Sequence, residues 1–204
     1  ALMPLPARDS TITILGRAMM LAALVVMAGV IGVVLVVIEP AVRAPLASLQ
    51  RDSSAPSVRR EVLPAVVPNS LRRTWILLAA VGLLGVGGIA VGTLRRLGSW
   101  DIVTLLSSSR IGHMLGIVGF ALLVSGGAVA TAPVAVGRRR VMSSGAIVAG
   151  GLVAIGLSGH PTSGSDALIG ALAHISHLAA TSLWIGGLAA LGIALALIDR
   201  AEVG

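Results

Sequence analysis

The chain has no cysteine, no lysine and no tyrosine, a single phenylalanine, and only eight acidic residues in 204. Without cysteine there are no disulfide staples, no thiolate metal sites and no thiol redox chemistry. A soft metal ion would have to be held by histidine nitrogen or methionine sulfur. The carboxylates are too few and too scattered to form an acid–base pair, no nucleophile stands beside a positioned base, and no glycine-rich loop is placed to cradle phosphate. Hydrolysis and group transfer are therefore not expected, and the chain does not read as an enzyme. All 15 basic residues are arginine, which reflects the codon bias of a GC-rich genome rather than chemistry.

Hydrophobic residues fill the space that charge leaves. They make up 56% of the chain, against 11% charged, and come in unbroken runs rather than amphipathic ones. A spanning helix needs about 20 apolar residues. Segments 13–38, 75–94, 111–136, 141–157 and 168–198 meet or approach that length, so the expected fold is all-α, a single polytopic membrane bundle of about five spans. A polar stretch at 39–73, rich in proline and arginine, separates the first two. The 26 glycines suit close helix packing in lipid, where small residues let backbones approach. A net charge of +7 would point to nucleic acid in a soluble chain, but here it is spread among loops and gives no reason to expect that partner. The chain starts at Ala1 and shows no charged leader with a cleavage site, as a processed or excised piece would.

Cytoplasmic loops collect arginine. With the N-terminus outside, ten arginines fall on the inner side (Arg43, Arg51, Arg59, Arg60, Arg72, Arg73, Arg138, Arg139, Arg140, Arg200) and four on the outer (Arg8, Arg95, Arg96, Arg110). This favours N-out and C-in. Arg17 and Arg110, near helix ends, are expected to snorkel. Ser165 and Asp166 have the chemistry of N-caps for the last span.

There are four histidines. In the N-out topology all of them fall toward the outer face: His113 at the start of the third span, His160 at the end of the fourth, His174 and His177 in the first turns of the fifth. At about 100° per residue, His174, His177, Thr181, Trp184 and Leu188 share one stripe of the last helix, roughly 80° wide. Ionisable residues inside a membrane usually face protein or a water-filled cavity, so an inward-facing stripe is expected, with the imidazoles holding a metal. Met114 beside His113, and Met19 and Met20 in the first span, are possible thioether ligands, although methionine is also a common core filler. Imidazole and thioether without thiolate suit copper better than zinc, calcium or magnesium. Gly186 and Gly187 would admit a neighbouring helix, with Trp184 filling the gap. The same histidines also fit two other readings, bis-His haem ligation and structural hydrogen bonding in a membrane complex.

Gly159-His160, followed by a short polar loop and then His177-Leu178-Ala179-Ala180 with Trp184-Ile185-Gly186-Gly187-Leu188, resembles the copper resistance protein D family. Leu105 to Gly112, with Arg110-Ile111-Gly112, is similar to that family's Thr-Arg-Phe-Gly helix entry. The resemblance covers roughly residues 100 to 195. It implies a bacterial or archaeal inner-membrane protein that moves copper or passes it to a copper enzyme. Family members usually continue for about three further spans, so a fragment of a longer chain or a subunit of a larger membrane complex is expected. The expected ligands are His160, His174 and His177, with His113 and Met114 as lesser candidates. The alternatives are an assembly subunit of a membrane metalloenzyme that holds no ion, and a haem-bearing electron-transfer protein.

Overall fold

A computed structural model describes residues 10–33, 69–131, 138–158 and 166–202. Among these are six helices: α1 (Thr11–Val33), α2 (Asn69–Leu97), α3 (Ile102–Ser108), α4 (Arg110–Ala130), α5 (Arg138–Ser158) and α6 (Ala167–Glu202). No described residue is in a strand. Four helices are long and apolar enough to cross a membrane, α1, α2 from Arg72, α4, and α6 to Gly192; α5 adds a shorter apolar stretch, Met142–Ser158. The protein is an all-α, multi-pass membrane bundle.

The helix limits differ from the hydropathy limits where polar residues join a helix. α2 begins at Asn69, inside the stretch expected to be a polar loop, because Arg72 is drawn into the helix by a bond to the neighbouring α4: its Nη2 donates to the carbonyl of Ala130, an orphan acceptor at a helix end. α4 ends at Ala130, six residues before the hydropathy limit, with Thr131 as C-cap donating to the Gly127 carbonyl and Pro133 close behind. The end of the first hydropathy segment and most of the polar stretch 39–73 lie outside the described residues.

Packing directions follow from the close approaches. α1 runs against α2: a Cβ on Gly16 would stand 2.7 Å from the Gly85 carbonyl oxygen, and one on Gly92 would stand 2.1 Å from Thr13 Oγ1. α2 runs against α4, with Trp75 Nε1 donating to Ser125 Oγ at 3.1 Å and Gly82 seated under Leu122. α4 runs against α5, where Arg110 Nη2 donates to the Leu157 carbonyl. α6 meets α5 at Gly156 and Ile175, and crosses α1 at Gly29 and Gly186. The start of α1, the end of α2, α3, the start of α4, the end of α5 and the start of α6 therefore share one end of the bundle. The core lies between α1, α2, α4 and α5, around Leu24, Met27, Leu115, Val118, Leu122 and Val148.

α3 was not expected. Glycine at position 98 makes the corner before it possible: φ is +65°, and Ser99 N donates to the Leu94 carbonyl at 3.2 Å, closing α2 with a left-handed cap. Asp101 then caps α3, its Oδ1 accepting from Thr104 N at 3.0 Å, and Ser109 caps α4, its Oγ accepting from Gly112 N at 2.8 Å.

Candidate metal centre

The three described histidines all stand at the end of the bundle defined above. His113 is in the first turn of α4 and exposed, with Nε2 3.0 Å from the carbonyl oxygen of Ser107 in the last turn of α3. A carbonyl can only accept, so Nε2 is the donor, and in the neutral ring Nδ1 is left with the lone pair a metal would need. The ring is placed by the α3–α4 corner, where Leu105 is buried and a Cβ on Gly112 would come within 1.9 Å of the Leu105 carbonyl oxygen. Met114 is half-buried and packs against the core, and Met20 is buried within it, so packing already occupies both side chains. Met19 is half-buried.

α6 corrects one expectation. Its buried face is Ala171, Leu178, Ser182 and Gly186; Ser182 and Gly186 meet α1 at Gly29, and the neighbouring Ile175 meets α5 at Gly156. The stripe of His174, His177, Thr181, Trp184 and Leu188 does not face the bundle interior. His174 and Thr181 are half-buried at its edge, His177 is exposed, Trp184 is 72% exposed and Leu188 58%. The cause is the Gly29–Gly186 crossing. A Cβ on Gly29 would lie 2.1 Å from the Ser182 carbonyl oxygen, and one on Gly186 would lie 2.5 Å from the Gly29 Cα, so backbone contact fixes the rotation of α6 and turns the stripe outward. Gly186 admits a helix as expected, but Trp184 does not fill the gap.

α4 packs on α2, α3 and α5, whereas α6 packs on α1 and α5, so His113 and the α6 pair stand on different flanks. No three His, Asp or Glu side chains gather among the described residues. His160 and Ser165 lie outside them. Asp166 precedes α6 and its carbonyl accepts from Gly170 N at 3.0 Å, the backbone pattern of an N-cap position. Arg110 is exposed, but its guanidinium reaches the end of α5 rather than simply snorkelling; Arg17 is exposed on α1.

Sequence reading missed the interhelical bonds from Trp75 to Ser125, Arg72 to Ala130 and Arg110 to Leu157. Each joins residues more than 45 positions apart, and periodicity within one helix carries no signal for such pairs. The capping residues Asp101 and Ser109 were legible signs of the α3 corner. Comparison with protein families, curated proteins and solved structures finds no match to this chain.

Proposed function

We propose that this protein handles copper at one face of a bacterial or archaeal inner membrane, receiving the ion from or passing it to a partner rather than conducting it alone. One observation carries the reading. His113, in the first turn of α4, and His174 and His177, about two and three turns into α6, lie toward the same end of the bundle, and His160 follows two residues after Ser158, where α5 reaches that end. The resemblance of residues 159–188 to the copper resistance protein D family supports copper as the ion, as does a ligand set of imidazole without thiolate. His174 and His177, one turn apart on α6, are an incomplete set. Their open face leaves room for further ligands from the segment carrying His160 or from a partner.

The outward stripe favours delivery over conduction. An ion held there is outside the packed core, and the inner halves of α4 to α6 offer no ionisable side chain in their apolar stretches to pass it along. The same outward stripe, with Trp184 and Leu188 exposed, also supports the second reading, an assembly subunit that contacts a metalloenzyme and holds no ion.

Metal analysis of the purified protein beside its visible absorption spectrum separates these readings: copper without a porphyrin band is expected, and neither signal would leave the assembly role. His174→Ala and His177→Ala should each remove most bound copper while the helix content stays unchanged; full stoichiometry in both variants would exclude the α6 pair. Reconstituted alone in liposomes, the protein should bind copper without moving it inward, and robust uptake would restore a transport role.

A further inference from the structure

α3 is seven residues long, about 10 Å, and cannot cross a membrane. Its side chains are nonetheless sorted. At about 100° per residue, Leu105, Ile102, Leu106 and Val103 occupy one arc of roughly 160°, and Ser107, Thr104 and Ser108 occupy the opposite arc. Leu105, at one edge of the apolar arc, is buried in the core. The other three remain uncovered, Val103 at 71% exposure, and Trp100 just before the helix is 68% exposed.

This apolar surface belongs to a rigid corner. Ser109 Oγ donates to the Leu105 carbonyl at 2.8 Å, His113 Nε2 holds the Ser107 carbonyl, and the Gly112 backbone lies against Leu105. The corner joins the end of one spanning helix to the start of the next, which sets it at the depth where hydrocarbon gives way to headgroups. Arg95 and Arg96 stand exposed in the last turn of α2 beside it. Tryptophan at the boundary, arginine at phosphate level, and an apolar arc opposite a hydroxyl arc match the chemistry of a lipid leaflet, layer by layer.

We propose that α3 is a lipid-seated segment. Trp100, Ile102, Val103 and Leu106 rest in the acyl region of the leaflet bordering the histidine-bearing end, Arg95 and Arg96 meet lipid phosphates, and Thr104, Ser107 and Ser108 face water. Seated in this way, α3 sets the depth of the end that carries His113.

The absence of cysteine makes the test direct. Val103→Cys and Ser107→Cys, each in the full chain and carrying a nitroxide, are reconstituted in phosphatidylcholine–phosphatidylglycerol vesicles, and relaxation by oxygen is compared with relaxation by a water-soluble nickel chelate. At position 103 oxygen should dominate several-fold, and at position 107 the chelate should. Ile102→Cys is a second reporter of the apolar arc if Val103→Cys fails to insert. Adding Arg95→Gln and Arg96→Gln should move the position-103 label toward water in the anionic vesicles. Chelate access at both positions, or shielding of position 103 from both reagents by protein, overturns lipid seating; an unchanged depth in the arginine variant overturns the phosphate contact.

Discussion

Single glycines decide how closely these helices approach. At Gly29 an added methyl group would fall 2.1 Å from a backbone oxygen of α6, which cannot move aside as a flexible side chain would. Gly29→Ala and Gly186→Ala are therefore expected to force α1 and α6 apart and destabilise the bundle by roughly 1–3 kcal/mol. Gly150, with nothing within 4 Å of an added Cβ, is the control; Gly150→Ala should be neutral or stabilising by up to about 1 kcal/mol. Unfolding midpoints in detergent would check all three, and equal midpoints would mean the crossing is looser than the backbone contact requires. A second buried pair is Trp75 and Ser125, joined at 3.1 Å. Ser125→Ala leaves the indole N–H buried without an acceptor, whereas Trp75→Phe leaves a hydroxyl that can turn back to its own helix. Ser125→Ala should thus cost more than loss of the bond alone, and a double-mutant cycle should give a coupling of about 0.6 kcal/mol, and no more than about 1.7 kcal/mol.

Among the elements, α3 responds to pH through its cap. The Asp101 carboxyl is held below its usual value of 3.8, chiefly because its charged form accepts from the Thr104 side chain, and further because it accepts from the backbone of Thr104 and Val103. A lowered pKa in the folded state means that the cap's contribution is complete above pH 3.8 and is lost as pH falls through the lower folded value. Amide hydrogen exchange at residues 102–106 should accelerate in that acid range. Asp101→Asn, which still accepts from Thr104 N, should keep protection without the pH dependence, and Asp101→Ala should lose protection at all pH values. Protection indifferent to both pH and Asp101→Ala would mean that the contacts of Leu105 and Ser109 hold α3 without the cap.

For the whole molecule, the helix directions fix which segments share an end but not which end faces the cytoplasm. That assignment rests on the arginine bias of ten against four. It predicts that Ser107→Cys, in the described corner, reacts with an impermeant maleimide in intact cells, while Ser53→Cys reacts only after permeabilisation. The reverse pattern would put the histidines in the cytoplasm and remove the basis for copper exchange outside the cell.

The residue order alone determined the all-α membrane class, since runs of apolar residues near 20 long have few other stable fates and their length is a local property. It also placed His113, His174 and His177 in the halves of their helices nearer one end of the bundle, because position along a span translates directly into depth. Helix limits shifted where a long-range bond such as Arg72 to Ala130 recruited polar residues into a helix. The rotation of each helix about its own axis was not legible. The α6 stripe was correctly grouped from the 3.6-residue period but expected to face inward. Its direction was settled by backbone contact between Gly29 and Gly186, residues 157 positions apart. In a chain where nearly every helix face is apolar, hydrophobicity does not distinguish the side that meets lipid from the side that meets protein. Only the tertiary fit of small residues decides it, and that fit turned His177 and Trp184 outward.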